Sequence, residues 1–338
     1  MKVIHPSRPL PPTPFLTAQG TWPSNLLEGQ GLRPGPRLAL VAVALVVACL
    51  PARAGETAQF LKIGVGARAV GMGGAYTAAG DDLNSMAWNP GGMASLTKRE
   101  AGAMYANLVA ETHYSFMGYG QPTKYGTFGA GIMYLGQGSL DGRDSQGRAN
   151  GGFTASDMAL GVSYAKTVLP RLGLGVNVKL VRTNVGSDTG YSVAFDLGSR
   201  YDLGRMGPGS LAAGLAVLNL GPGIRLHEQS SDLPLVLATG LGYNLPFGLN
   251  FGLDFRNRPY AGSSEVSLGT ELAVVPQLAL RMGYASTHGL ISGAYKTSDL
   301  MGLAAGFGVK AYGMSLDYSM TPFGGLGNSH RISLGSRF

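Results

Sequence analysis

Apolar residues alternate with small or polar residues along most of this chain, from about residue 101 to the C-terminus. Residues 247–256 show the pattern fully, because Phe and Leu occupy every second position and Gly, Asn, Asp and Arg lie between them. Side chains alternate between the two faces of a β-strand, so this stretch predicts a strand with one apolar face. The same alternation recurs in residues 172–179, 191–198 and 312–320.

About fourteen such segments follow one another, each near the nine to eleven residues that a tilted strand needs to cross a bilayer. They begin near Ala101, Tyr114, Gly126, Asp157, Leu172, Tyr191, Ser210, Leu235, Phe247, Glu265, Gln277, Met301, Tyr312 and His330. The connections after the third, seventh, ninth, eleventh and thirteenth segments are long, and those after the eighth, tenth and twelfth are short. Long outer loops that alternate with short periplasmic turns are typical of an outer-membrane barrel.

The pattern predicts an all-β fold, a transmembrane antiparallel β-barrel of about fourteen strands, with both chain ends on the periplasmic side. The alternative is a Gly-rich soluble β-protein. Charged residues make up only 13% of the chain, about half of the usual share in soluble domains, and 54 residues are Gly. The outer face of a soluble sandwich carries long polar side chains. Here the non-apolar face is mostly Gly, Ala and Ser, which fits a narrow, partly filled lumen better.

Residues 1–54 are predicted to be an N-terminal extension and a secretory signal peptide. Arg37, the apolar run 38–50 and the sequence Ala-Arg-Ala at 52–54 predict cleavage between Ala54 and Gly55. A lipoprotein site at Cys49, the only cysteine of the chain, is the alternative interpretation. These residues supply five basic side chains and one acidic one, so the net charge of +7 falls to +3 without them. The charge therefore gives no argument for a nucleic-acid partner.

Residues 55–98 are rich in Gly and Ala and are not strand-like, so they are predicted to form a plug inside a barrel of residues 99–338. Phe60 and its apolar neighbours predict a short helix that ends near Gly71. A second helix is predicted over residues 76–88, with Asp81 and Asp82 near its start. The sequence Asn-Pro-Gly-Gly at 89–92 is predicted to end it, since the residue before Pro avoids the helical region. The predicted plug residues are Phe60, Asp81, Asp82, Asn89, Pro90 and Gly91.

Three short motifs in order, FLKIGVGARAVGMGGAYTA at 60–78, DD at 81–82 and WNPGGMASL at 88–96, carry a family resemblance. They resemble the opening of the PorV/PorQ family of outer-membrane barrels, which is related to FadL-type transporters of long-chain fatty acids. The resemblance implies a plug that enters the lumen from the periplasm. It also implies that the barrel binds exported proteins or components of a secretion system of the type IX kind.

The relationship to FadL implies a different function, a channel for hydrophobic small molecules with the ligand between plug and wall. Gly-rich lumen faces would leave room for it, and loops with Leu226, Leu290 and Ile291 would form an access groove. A structural barrel without transport is the third possibility. Whichever function holds, the expected partners include outer-membrane lipid and, during biogenesis, the barrel-assembly machinery. The last segment ends in Phe338, and a terminal aromatic residue resembles the sorting signal that this machinery reads.

Charged residues on the small-residue faces are predicted to point into the lumen. They are Lys179, Asp196, Asp254, Arg256, Glu271, Arg281, Asp317 and Arg331. Their signs are mixed, which argues against strong ion selectivity. They are interpreted either as a salt-bridged network that holds the plug or as a polar path for a solute.

No set of residues predicts an enzyme, a cofactor or a metal site. His5, His113, His227, His288 and His330 lack the spacing of metal ligands, and the pair His227-Glu228 alone is a weak metal candidate. No nucleophile–base motif is present in the sequence.

Overall fold

The computed structural model of the chain describes residues 55–338 except 110, 139, 144–145, 227–228, 289–301 and 324–326. Fourteen strands in the described part form a closed barrel in which every hydrogen-bonded neighbour is antiparallel. The prediction of an all-β antiparallel barrel of about fourteen strands is confirmed.

The barrel strands are β1 (Glu100–Asn107), β2 (Thr112–Thr123), β3 (Gly126–Gln137), β6 (Ala155–Leu169), β7 (Leu172–Val185), β8 (Asp188–Met206), β9 (Gly209–Leu220), β12 (Val236–Asn244), β13 (Leu249–Arg258), β14 (Ser263–Val275), β15 (Leu278–His288), β16 (Leu303–Ala311), β17 (Met314–Pro322) and β18 (Asn328–Arg337). Two hairpins in the connections were not predicted. They are β4 (Leu140–Arg143) with β5 (Ala149–Phe153), and β10 (Ile224–Leu226) with β11 (Gln229–Ser231).

Connections at one end of the barrel are short and those at the other end include the long ones. Residues 124–125, 170–171, 207–208, 276–277 and 312–313 are two-residue turns at the first end, which we call the turn end. Tyr312 and Gly313 have φ values of 52° and 78°, as a type I′ hairpin turn requires. Tyr312 therefore lies in a turn, and the strand predicted to begin there begins at Met314. Residues 138–154 and 221–235 are long connections at the opposite end, the loop end.

The two faces of the wall are as different as the alternation predicts. Phe251, Leu253 and Phe255 are each 40% or more exposed on the outside, whereas Gly252, Asp254 and Arg256 between them are buried. Outward apolar residues lie opposite one another on neighbouring strands, as Leu241, Leu253 and Leu268 do on β12, β13 and β14. The result is a continuous apolar outer surface and a polar inner one, which is the distribution that a barrel in lipid requires.

Residues 55–98, hereafter the inner segment, lie inside the barrel. They contain only short helical pieces, at Gln59–Lys62, Ala67–Gly71, Ser85–Trp88 and Pro90–Ser95. The single helix predicted over residues 76–88 is therefore wrong. In such a helix Leu83 N would donate to Ala79 O, but it donates instead to Glu100 of the wall. Tyr76 N and Thr77 N, which would lie in the first turn of that helix, donate to Asp254.

The inner segment runs the length of the barrel. Near its start, Thr57 N donates to Asp232 O and Asp232 N donates to Gly55 O, which places Gly55 at the loop end. Phe338 exchanges both backbone hydrogen bonds with Arg99 at the turn end. Gly55 and Phe338 thus lie at opposite ends, and the expectation that both lie on one side does not hold for these residues. The pairing of residues 55–57 with a loop-end connection is the physical reason.

None of the helices in the described part of the chain combines the length and the apolar character that crossing a bilayer requires. The predicted signal peptide, its cleavage site after Ala54 and the alternative site at Cys49 lie outside the described residues.

Candidate functional site

The inner segment touches the wall backbone to backbone across a row of glycines. Gly242, Gly252, Gly269 and Gly283, which we call the glycine row, are cross-strand neighbours on β12 to β15. A Cβ atom added at Gly252 would lie 2.5 Å from Ala75 O. At Gly269 and Gly283 it would overlap the backbone of residues 72–73. Glycine is required here because the segment occupies the volume that a side chain would need.

This packing corrects one expectation. The Gly-rich lumen faces were expected to leave room for a ligand between plug and wall. At the glycine row, however, residues 72–78 fill that room. The inner face is small-chained because the chain itself passes close to it.

A second close approach surrounds the sequence Asn-Pro-Gly at 89–91. Asn89 Nδ2 donates to Thr77 O at 2.6 Å and to Ser199 O at 2.9 Å, and Asn89 Oδ1 accepts from Gly91 N. Asn89 thereby caps the helix Pro90–Ser95, with Pro90 in its first turn, while also ending the helix before it. An added Cβ at Gly91 would lie 2.8 Å from Ser199 Cα. These three predicted plug residues anchor the segment to β8.

Asp254 and Arg256 on β13 bind the backbone of the inner segment. Asp254 Oδ2 accepts hydrogen bonds from Tyr76 N, Thr77 N and Thr77 Oγ1 at 3.0, 2.8 and 2.6 Å. Arg256 pairs with the same oxygen at 2.9 Å and donates to Gly74 O. Its guanidinium also lies 4.6 Å from the centre of the Trp88 ring. Two adjacent inward residues of one strand thus hold the middle of the segment through charge-assisted contacts.

Glu265 adds a third inward charge to this group and brings in a fourth, Arg258. Its two oxygens accept from Arg256 Nη1 and Arg258 Nη2, both at 2.9 Å. The alternation places Glu265 on the same face as Glu271, so the phase of the strand was a usable signal for this residue.

Arg68 is the centre of a second network, nearer the turn end. Its Nε and Nη2 both lie 2.9 Å from the oxygens of Glu271, and its Nη1 lies 2.6 Å from Asp81 Oδ1. Glu271 also accepts from Arg281 Nε at 2.7 Å, and Arg281 Nη1 pairs with Asp317 at 2.7 Å. The sequence pattern did not single out Arg68, because it lies in an irregular segment and its partner is 203 positions away.

Asp81, Asp82 and Tyr76 complete this network within the segment. Arg68 Nη1 lies 3.3 Å from Asp82 Oδ2, which accepts from Tyr76 Oη at 2.7 Å. Burial raises the pKa of Tyr76 well above its ordinary value despite the opposing charge of Arg68, so the phenol stays a hydrogen-bond donor. Partial loss of solvation alone would raise the pKa of Asp81, but the charge of Arg68 together with its hydrogen bond to the carboxylate outweighs this and holds that pKa below its ordinary value.

Lys179 and Asp196 form a third group, which connects the segment to the loop end. Lys179 Nζ lies 2.8 Å from Asp196 Oδ1, and Asp196 Oδ2 accepts from Asn177 Nδ2 at 2.9 Å. The same Asn177 nitrogen reaches Met86 O at 3.4 Å. On the other side, Asn219 N donates to Asp196 and Asn219 Nδ2 donates to Pro234 O.

Other predicted residues lie apart from these three groups. Phe60 is 1% exposed and belongs to the apolar core that the segment shares with the wall. Phe338 is 60% exposed at the turn end, beside the ion pair of Arg337 with Glu100. Leu226 ends β10 and is half-buried against the core, and its part in an access groove stays a prediction. Leu290 and Ile291 lie outside the described residues.

An apolar depression of about 550 Å³ lies on the outer surface. Its sides are outward residues of β9 and of β12 to β16, and the wall beneath it carries glycines of the glycine row. The lining includes Leu241, Phe251, Leu253, Leu268, Met282 and Tyr284. The depression and the residues 72–78 of the inner segment therefore lie on opposite sides of a wall one backbone thick.

The described residues contain no group of three or more His, Cys, Asp or Glu side chains that could hold a metal ion. His113 and His330 are hydrogen-bonded to Tyr105 and Tyr318, at 2.8 and 2.7 Å, on the outer face. His5, the pair His227-Glu228 and the side chain of His288 lie outside the described part of the chain.

No protein-family model matches the chain. No curated protein matches it either.

Solved structures share its fold. A structure described as the CymD monoaromatic hydrocarbon channel has a TM-score of 0.59 at 14% identity, over 81% of this chain and 98% of that one. The Ralstonia pickettii toluene transporter TbuX has a TM-score of 0.58 at 14% identity, over 81% and 98%. A Pseudomonas aeruginosa FadL homologue has a TM-score of 0.50 at 11% identity, over 80% and 97%. At these identities the likeness shows a shared barrel fold, and it does not extend to the PorV/PorQ family.

Proposed function

We propose that this protein is an outer-membrane channel for hydrophobic small molecules, closed by its inner segment, which acts as the plug. The observation that carries the proposal is the fold shared with hydrocarbon and toluene transporters, over about four fifths of this chain and nearly all of theirs. In this proposal the turn end faces the periplasm. The motifs favoured partner binding of the PorV/PorQ kind over a channel, whereas the channel comes first here because the FadL-type structures support it.

The chemistry of the lumen agrees with a gated path. The glycine row and the three polar groups hold the segment against the wall, so a solute passes only when the segment shifts. Because the lumen charges other than Arg331 are mostly paired with each other, a shift exposes no ring of one sign, and a neutral solute is favoured over an ion.

The test is to fix the segment to the wall. An added Cβ at Gly71 would lie 3.5 Å from Arg281 Cβ, which suits a disulfide, so Gly71→Cys with Arg281→Cys can join them. Cys49 is the only native cysteine, which keeps the background low. We expect cells that produce the oxidised double variant to take up radiolabelled toluene no faster than cells without the barrel. A reductant should restore uptake in the same cells.

The reduced double variant is the internal control, since it also lacks the ion pairs of Arg281. Both single-cysteine variants should respond to neither oxidant nor reductant. Uptake that is unchanged when the cross-link is verified by mass would contradict a path that requires the segment to move.

The second candidate is partner binding of the PorV/PorQ kind. The favouring observation is that the segment carrying the resemblance, residues 60–96, fills the lumen and spans it from the loop end towards the turn end. Native mass spectrometry of the gently extracted barrel separates the two candidates. A retained small hydrophobic molecule supports the channel, and a retained secretion component supports partner binding. If neither is retained, a structural barrel is favoured.

A further inference from the structure

Buried cations of the lumen are paired, with one exception among the described residues. Arg68, Lys179, Arg256, Arg258 and Arg281 each have a carboxylate oxygen within 2.9 Å. Arg331 on β18 is only 5% exposed, yet it forms no ion pair in the described part of the chain. Its Nε and Nη1 also lack a hydrogen-bond partner there. A buried guanidinium without a counter-charge is strongly unfavourable, so its position requires an explanation.

The inward neighbours of Arg331 are hydroxyl groups that also lack partners. Ser319 lies directly opposite Arg331 on β17, and Tyr114 lies on β2, with Ala106 opposite both Tyr114 and Arg331. Directly opposite residues have Cβ atoms about 5 Å apart. The next inward-facing pair towards the loop end is Thr321 opposite Ser329. Tyr114, Ser319, Thr321, Ser329 and Arg331, hereafter the Arg331 patch, all have buried polar atoms without a partner among the described residues.

The chemistry of the Arg331 patch is that of an anion receptor. A guanidinium only donates hydrogen bonds, and each hydroxyl can donate one. Water would satisfy the hydroxyls but would not neutralise the charge. A divalent anion would leave a second charge unpaired. The composition therefore favours an anion of one charge with more than one acceptor oxygen.

We propose that the Arg331 patch binds a small carboxylate. The proposal does not require that the barrel conduct, because it rests on the charge balance inside the wall. The four hydroxyl groups of the patch and Nε and Nη1 of Arg331 are shielded from solvent. The side chain of Tyr114 or Arg331 therefore has to rotate to admit the anion. Once bound, the carboxylate would be held out of water, where charge-assisted hydrogen bonds are strongest.

The experiment measures thermal unfolding of the purified full-length barrel in detergent. Sodium acetate and sodium benzoate are titrated against sodium chloride at constant ionic strength. We expect the unfolding midpoint to rise and to saturate with a carboxylate but not with chloride, as for a ligand that binds only the folded state. Saturation by acetate would indicate a site for the carboxylate alone, and saturation by benzoate only would indicate an aromatic acid. An equal rise of the unfolding midpoint with chloride would overturn the proposal, because the rise would then be a general effect of salt.

Variants locate the effect. Arg331→Met should abolish the response and, because it removes an unpaired buried charge, should raise the midpoint measured without carboxylate. Arg281→Met is the matched control, since it breaks existing ion pairs and should lower that midpoint. A lowered midpoint in Arg331→Met, or a retained response, would contradict the site.

Tyr114→Phe keeps the charge and the shape, so it tests the site even if Arg331→Met does not assemble. The variant should weaken carboxylate binding about tenfold, which corresponds to one hydrogen bond to a charged group. Binding equal to wild type in Tyr114→Phe would remove the phenol from the proposal and overturn the patch as defined.

Discussion

At the scale of single residues, inward glycines decide whether the inner segment can pack. Gly283 has the backbone of residues 72–73 where its Cβ would lie, whereas a Cβ at Gly102 would lie 3.4 Å from the end of the Leu83 side chain and 3.5 Å from Leu334 O, both ordinary contact distances. Both are glycines on the inner face of a strand, and they differ in what lies against them. The alternation of the sequence predicts the face of each but not the neighbour.

Gly283→Ala should therefore destabilise the folded barrel by about 2 kcal/mol or more, because backbone cannot move aside as a side chain can. Gly102→Ala, the matched control, should cost about 0.5 kcal/mol or less. Urea unfolding in detergent, followed by gel mobility with and without heating, measures both. Equal midpoints for the two variants would mean that residues 72–73 do not press on the wall.

At the scale of elements, each strand presents its apolar side chains to the outside. Leu253 lies midway along β13, between Leu241 and Leu268 of the neighbouring strands. Tyr312 is 99% exposed in a turn at the end of the barrel. The two positions share exposure to the surroundings and differ in their depth along the barrel.

Leu253→Arg should cost about 2–4 kcal/mol in a bilayer, because it places a charge near the membrane midplane. Tyr312→Arg should cost about 1 kcal/mol or less, since turns lie near the interface. Folding into phospholipid vesicles at a series of urea concentrations gives both values. A small cost for Leu253→Arg together with a large cost for Asp254→Arg would mean that the faces are inverted.

At the scale of the whole molecule, a network of charges joins the inner segment to the wall, and one contact of that network depends on pH. Asp81 pairs with Arg68 inside the inner segment, and Arg68 in turn pairs with Glu271 of the wall. The pKa of Asp81 lies below the ordinary value of about 4. A lowered folded pKa stabilises the contact above the unfolded pKa, and that contribution is lost as the pH falls through the folded value.

Acidification below about pH 4 should therefore loosen the inner segment. Trp88, the only tryptophan of residues 55–338, donates to Val65 O and stacks under Arg256, so its fluorescence reports on the segment. We expect its emission to shift to longer wavelength in acid. Asp81→Asn should show part of that shift already at pH 7 and respond less to acid. A pH response identical to wild type in Asp81→Asn would exclude this contact as the acid-sensitive one.

The alternation along the chain is enough to predict the barrel strands, their approximate number and their two faces. A period of two residues is a local property, and residues 247–256 display it without help from the rest of the chain. The inward position of Lys179, Asp254 and Arg281 follows from the same phase. Residues 76–88 show the limit of local reasoning, because Leu83 N donates to Glu100 of the wall rather than within the helix that the local pattern predicts.

What fills the barrel follows from long-range contacts, which no stretch of the sequence contains. Arg68 pairs with Glu271, which lies 203 positions later in the chain, and Gly283 packs directly against Gly73 of the inner segment. No local pattern contains these contacts. Barrel closure brings them together, since pairing β1 with β18 sets every inward residue around one narrow interior. The same closure leaves Arg331 beside hydroxyl groups rather than a carboxylate. Local alternation chooses the face of a residue, and long-range packing chooses its partner.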